Sequence, residues 1–143
     1  MSLMGVPLVP VLLAALATMA VGFLWYSPML FARPWMIAMG LDPDDKAKLA
    51  ELQKGAGKTY FIALVCSLVS AFVLSKVLDL TTVDTIAHAA KWGFALWAGF
   101  VATVQLTDVL FGKRPFKLYL INTGYQMVCY IVMASVLVKM AHR

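Results

Sequence analysis

Hydrophobic positions gather into four long runs, roughly residues 6–25, 60–78, 92–111 and 116–138, broken by short polar stretches and one long connection. A helix needs about 20 predominantly apolar residues to cross about 30 Å of hydrocarbon, and each run supplies that length. Apolar residues recur with helical spacing, and the two-residue alternation of a barrel strand is missing. Backbone groups in lipid must find their partners within the segment, so helices are the remaining solution. The pattern predicts an all-α, polytopic membrane protein: a single domain over residues 1–143 with four transmembrane helices.

The connection over residues 28–59 is too apolar in its first half to be a free loop. Met29, Leu30, Phe31, Trp35, Met36, Ile37 and Met39 suit a membrane surface, with Arg33 reaching to water or phosphate. An amphipathic interfacial helix beginning near Pro34 is expected. Further on, Asp42-Pro43-Asp44-Asp45 reads as a helix start, with Asp42 as cap, Pro43 in the first helical position and acids against the helix dipole. Gly55 would end that helix, and Asp44 would pair with Lys48 one turn on.

Composition sharpens this picture. Of the residues 62% are hydrophobic and 13% charged, against about 25% charged in an average soluble domain, so the chain cannot cover itself with a water-compatible surface. A net charge of +5 does not point to nucleic acid, because the basic residues flank the apolar runs. They carry a topology signal instead. Arg33, Lys46, Lys48, Lys54, Lys58, Lys113, Arg114 and Lys117 lie on one side, and Lys76, Lys91, Lys139 and Arg143 on the other. Eight against four places both termini outside and the two basic loops in the cytoplasm, in the plasma membrane of the cell. Ala15-Leu16-Ala17 resembles a signal cleavage site, but residues 1–14 carry no Lys or Arg and the apolar run continues to Trp25, so a retained span is expected.

Most chemical motifs dissolve on inspection. Gly55-Ala56-Gly57-Lys58-Thr59 looks like the end of a phosphate-binding loop, yet Leu52 stands where that pattern needs glycine, and no strand precedes it. His88 and His142 sit near helix ends and make no mid-membrane pair, so neither a metal nor another cofactor is expected. Ser67, Ser70 and Ser75 have no base to activate them, and Cys66 and Cys129 read as packing residues within apolar runs. No catalytic residue is assigned, and the protein is read as a non-enzyme.

Two patterns remain. Small or hydroxylated residues recur every fourth position in Ala14, Thr18 and Gly22, in Ala63, Ser67, Ala71 and Ser75, and in Ala95, Gly99, Thr103 and Thr107. Such faces let membrane helices approach closely, with Gly22, Ser67, Ala71, Gly99 and Thr103 as the central packing positions. They serve packing within one bundle, an interface between protomers, a small-residue-lined pore, or docking to a partner membrane protein; a homo-oligomer is expected, since four short spans bury little on their own. The second pattern is polar. Asp108 is the acid inside a span, Gln105 lies one turn before it, and Asn122 and Gln126 lie on the next span. The turn between these spans is so short that they run as antiparallel neighbours. At 1.5 Å per residue Gln105 and Asn122 share a depth of roughly 9 Å from the helix ends, and Asp108 faces Tyr119. Trp25-Tyr26-Ser27-Pro28 ends the first span in the same half of the bilayer. Pro28 deprives the Leu24 carbonyl of its helical donor, which a neighbouring helix should replace. Trp25, Tyr26, Gln105, Asp108, Asn122 and Gln126 form the candidate site, with Asp108 as its charge. Asp108 also lies near enough to the helix end to pair with Lys113, Arg114 or Lys117 and serve topology alone.

Gly22-Phe23-Leu24-Trp25-Tyr26-Ser27-Pro28-Met29-Leu30-Phe31, followed by Trp35, and Leu120-Ile121-Asn122-Thr123-Gly124-Tyr125 in the last span resemble the bacterial and fungal membrane proteins grouped as domain of unknown function 1761. The likeness covers nearly the whole chain and departs at Ala32, where that family often has glycine. It implies a four-span membrane domain and carries no activity. The leading expectation is a channel, carrier or small-ligand binding bundle in the lipid bilayer, probed through Asp108. The rival is a structural or accessory subunit, and an intramembrane enzyme ranks third.

Overall fold

The computed structural model describes residues 1–141, so His142 and Arg143 lie outside it. Four helices long and apolar enough to span a membrane dominate it, and the protein is an integral membrane protein. Helix α1 is Leu8–Trp25, α4 is Ala56–Leu80, and α7 is Phe116–Ala141. The third span is composite: α5, Ile86–Leu96, passes into a π-helical segment, Trp97–Ala102, and then into α6, Thr103–Phe111. Between α1 and α4 lie the short helices α2, Ala32–Ala38, and α3, Lys46–Leu52.

Helix α7 is the hub, packing against α1, α4 and α5. Its buried Met133, Ala134, Leu137 and Val138 meet Val11, Ala14, Ala71, Leu74, Leu78 and Ala89 in one apolar core. That core lies toward the end of the bundle where α4 ends and α5 begins. Gly93 sets the α5–α7 spacing, since a Cβ there would stand 2.7 Å from the Tyr130 carbonyl oxygen. At the same end a two-residue hairpin, β1 (Ser2–Leu3) and β2 (Val6–Pro7), turns through Met4 and Gly5 with φ of 53° and 79°. Two positive φ values make the tight turn whose twist suits a hairpin. The hairpin buries Val6 in the core, and the Lys76 ammonium donates to the Met4 carbonyl over 3.2 Å.

The opposite end is shaped by Pro28. Its missing N–H is answered within the turn and not by a neighbouring helix: Ser27 donates to the Leu24 carbonyl from its amide at 3.2 Å and from its hydroxyl at 2.7 Å. A side-chain hydroxyl three residues on reaches a freed carbonyl more readily than another helix can. The chain then turns directly into α2, which starts at Ala32, two residues before Pro34. Leaving α2, Gly40 adopts φ +79° and the Leu41 amide bonds back to the Met36 carbonyl, a left-handed cap that stops the helix.

Helix α3 begins three residues later than the sequence suggests. Asp45 is its cap, accepting from the Lys48 amide, while Asp42 accepts from the Asp44 amide in a turn of its own. Asp-Pro and Asp-Asp compete for the same local role, and the turn absorbs the first two. Asp44 pairs with Arg33 at 3.5 Å, not with Lys48, which makes it the sole ion pair among the described residues. Both groups are exposed, so the pair adds little stability.

Candidate functional site

The candidate site is built where the end of α1 meets the start of α7. Trp25 and Tyr26 both leave α1 toward α7. The Trp25 indole donates to the Ile121 carbonyl at 3.0 Å, and the Tyr26 hydroxyl donates to the Asn122 side-chain oxygen at 2.7 Å. Gly124 makes room for the indole, since a Cβ there would stand 3.2 Å from the Trp25 ring. One turn further, the Tyr125 hydroxyl donates to the Thr18 carbonyl at 3.1 Å and lies against Gly22. The two strings that carry the family resemblance therefore pack against each other. Each aromatic ring fills the gap and its polar tip finds a backbone or amide acceptor, as a wet-tipped aromatic must in lipid.

The same rings hold α2. Trp25 stacks on Phe31 with centroids 4.7 Å apart, and Tyr26 lies edge-on between Trp35 at 6.0 Å and Tyr125 at 5.3 Å.

A second set of bonds ties the third span to α7. The Trp97 indole donates to the Thr123 carbonyl at 2.9 Å, and in the other direction the Tyr119 hydroxyl donates to the Ala102 carbonyl at 3.0 Å. Between them the buried Thr123 hydroxyl donates to the Gln105 side-chain oxygen. The π-helical segment is what these bonds bracket. Its wider turn weakens the regular ladder, and hydroxyls reach the loosened carbonyls: Tyr119 at Ala102, and Thr103 at Gly99 over 2.8 Å.

Helices α2, α6 and α7 border an open-mouthed cavity of about 250 Å³ lined by Trp35, Met39, Gln105, Asp108, Val109, Arg114, Leu118, Tyr119 and Asn122. Gln105, Asp108 and Asn122 thus lie around one space, with Asp108 and Tyr119 both on its wall. Tyr26 borders it through Asn122, whereas Trp25 is turned to the α7 backbone. Gln126 is elsewhere: it lines a second cavity of about 200 Å³ between α1, α4 and α7, with Thr18, Ser67, Cys66, Tyr125 and Cys129. Across that cavity the hydroxyls of Thr18 and Ser67 stand 3.0 Å apart.

Asp108 is exposed, and among the described residues it has no cationic partner within 4.0 Å. Arg114 reaches the same cavity because of the turn. Lys113 takes φ +52° and the Arg114 amide bonds back to the Val109 carbonyl, which swings the next side chain under the helix end. Its guanidinium meets the Met39 sulfur at 3.8 Å. Among the described residues no three His, Cys, Asp or Glu side chains converge on a metal-sized point.

The packing positions divide. Gly22 and Ala71 lie in helix contacts and Ser67 faces Thr18, whereas Gly99 and Thr103 lie with Ala95 and Thr107 on an exposed face of the third span. Trp97, Thr123 and Gly93 carry more of the architecture than sequence reasoning assigned to them. A tryptophan in the middle of a span was the available signal, because its N–H must find an acceptor there.

No curated protein and no solved structure matches the chain. A family model described as a protein of unknown function, DUF1761, matches residues 9–138, and the chain belongs to that family.

Proposed function

We propose that this protein is a non-enzymatic small-ligand binding bundle of the plasma membrane, with both termini outside and the Asp108 cavity in the cytoplasmic half. The observation that carries the reading is the cavity itself, where Asp108, Gln105 and Asn122 face one space and the carboxylate has no cationic partner within 4.0 Å among the described residues. Asp108 lies three residues from the end of α6 and is exposed, so its carboxylate is open to a ligand from the cavity. A lone acid without a base or a nucleophile beside it is a poor catalytic set, which favours binding over chemistry.

The test is Asp108→Asn in purified protein, with thermal unfolding followed across a panel of small cationic and zwitterionic solutes. The wild type gains stability with a ligand and the variant does not, while expression and oligomeric state stay unchanged. A variant that fails to insert or assemble would assign Asp108 to topology instead.

A second reading, association with another membrane protein or a second copy, is favoured by the third span. Ala95, Gly99, Thr103 and Thr107 form an exposed face on which the threonine hydroxyls bond to their own helix, leaving a smooth surface. Gly99→Leu adds bulk where nothing lies within 4 Å. On this reading it lowers crosslinking to a partner or a second copy without changing the folded bundle; unchanged crosslinking removes the face as an interface.

A further inference from the structure

The hydrogen-bonding capacity left over in the Asp108 cavity is unequal, and the inequality identifies a ligand class. The Asn122 oxygen accepts from Tyr26 and the Gln105 oxygen accepts from Thr123, which holds each oxygen toward its donor and leaves the NH2 group as the unpartnered end of each amide. Among the described residues those nitrogens have no partner, and no buried side-chain nitrogen or oxygen lacks one, so both NH2 groups are accessible. Arg114 adds a guanidinium engaged, among the described residues, only with the Met39 sulfur. Against these three donors stands one anionic acceptor, Asp108. Asp108 and Arg114 line the same cavity without approaching within 4.0 Å.

A simple cation would satisfy Asp108 and waste the donors. A simple anion would satisfy the donors and face Asp108 at close quarters. We propose that the cavity binds a zwitterion carrying a primary ammonium and a phosphate, as the headgroup of an aminophospholipid or as the free phosphoethanolamine it contains. This deepens the ligand-binding reading and rests on it. Phosphate suits the donor side because an arginine fork meets two of its oxygens while amide N–H groups take others. The primary ammonium suits the acid side because it donates hydrogen bonds to Asp108, which a quaternary ammonium cannot, and because the Trp35 and Tyr119 rings in the wall attract a cation. Depth agrees. Asp108 lies three residues before the end of α6, about 4.5 Å along the axis, and Asn122 about 9 Å from the start of α7, the level where headgroups give way to acyl chains. Met39, Val109 and Leu118 complete the wall with apolar groups at that level.

The experiment uses the full chain in nanodiscs of phosphatidylethanolamine, phosphatidylcholine or phosphatidylglycerol, with lipids retained after extraction counted by native mass spectrometry. In parallel, thermal unfolding is measured in detergent with phosphoethanolamine, ethanolamine or inorganic phosphate. Retention of phosphatidylethanolamine exceeds that of the other two lipids by roughly tenfold, the scale of one charge-assisted contact. Asp108→Asn and Arg114→Gln each abolish the preference, while Lys117→Gln, which removes the same charge outside the cavity lining, keeps it. Stabilisation by free phosphoethanolamine, but not by its two halves, assigns the free molecule as the source; preference for the lipid alone assigns the headgroup. If ethanolamine acts as well as phosphoethanolamine and Arg114→Gln changes nothing, the zwitterion is overturned and the cationic-solute reading stands. If Asp108→Asn is neutral toward every probe, both fall.

Discussion

Gly93 offers the sharpest test of how this bundle is held together. A Cβ built on Gly93 stands 2.7 Å from the Tyr130 carbonyl oxygen, 3.0 Å from its carbon and 3.3 Å from the Ile131 Cα, all of them backbone atoms. Ordinary contact begins near 3.4 Å, so α5 and α7 must separate by about 0.7 Å to admit one methyl group. No rotamer change relieves the clash. The separation also stretches the 2.9 Å Trp97 bond to the Thr123 carbonyl, one turn along the same contact, beyond its optimal length. Overpacking of this kind costs about 1–3 kcal/mol. In water the alanine would recover up to about 1 kcal/mol of helix propensity. In lipid it does not, because the separated span must stay helical to satisfy its own backbone, and propensity cancels between the two states. Gly93→Ala should therefore lose the full overpacking cost.

Gly99→Ala is the matched control. It makes the same chemical change one and a half turns on in the same span, with nothing within 4 Å of the new atom, so its effect on the monomer should stay within about 0.5 kcal/mol. Equilibrium unfolding in mixed micelles, followed by tryptophan fluorescence, gives both values. Equal stability of the two variants would refute the claim that backbone contact at Gly93 sets the α5–α7 spacing.

Two further substitutions separate holding from positioning at the α1–α7 joint. Trp25→Phe removes an N–H from the Ile121 carbonyl, which keeps its place in the helical ladder, so the loss should be that of one interhelical bond, about 0.6 kcal/mol and at most about 1.7; a larger drop in unfolding free energy would mean that the ring's packing dominates. Tyr26→Phe strips the donor from the Asn122 oxygen, which is half-buried beside the cavity, so the loss should be that of one hydrogen bond, about 0.5–1.5 kcal/mol, and a double-mutant cycle with Asn122→Leu should show the two losses to be non-additive. Additive losses would mean that the bond does not hold Asn122 in place.

Much of this arrangement was legible in the chain because membrane helices obey few rules. Length and hydropathy place the four spans, although α5 starts at Ile86, six residues before the apolar run, and α4 at Ala56, four before. The short turn at Gly112–Pro115 makes the third and fourth spans neighbours, so the shared cavity of Gln105, Asp108 and Asn122 follows from counting residues. What counting misses is rotation. Gln126 lies one turn beyond Asn122 on α7, yet it borders a different cavity, because α7 is surrounded and each neighbour claims a different sector of it. The π-helical segment has a related effect on the third span: inserting a wider turn rotates α6 relative to α5, which no regular period anticipates. The face of Ala95, Gly99, Thr103 and Thr107 shows the limit of a small-residue stripe as a signal. It marks where a helix can be approached closely and does not say that anything in the same chain does so.

The same geometry gives the Trp25–Pro28 string, of which Trp25 and Tyr26 belong to the candidate ligand site, a structural role. Trp25 is spent on the α7 backbone, Ser27 on the carbonyl that Pro28 leaves open, and Tyr26 on the oxygen of Asn122. None of the three lines the Asp108 cavity. Their joint effect is nonetheless felt there, because Tyr26 decides which end of the Asn122 amide is offered and, through its edge contact with Trp35, where α2 closes the wall. In the Tyr26→Phe variant the amide is free to turn, and the cavity trades a fixed donor for one that can present its oxygen beside Asp108. A positioning residue of this kind should weaken ligand affinity without abolishing it, and removal of the Asp108 charge should abolish it outright. That ordering separates a cavity preorganised by the α1–α7 joint from one whose carboxylate acts alone.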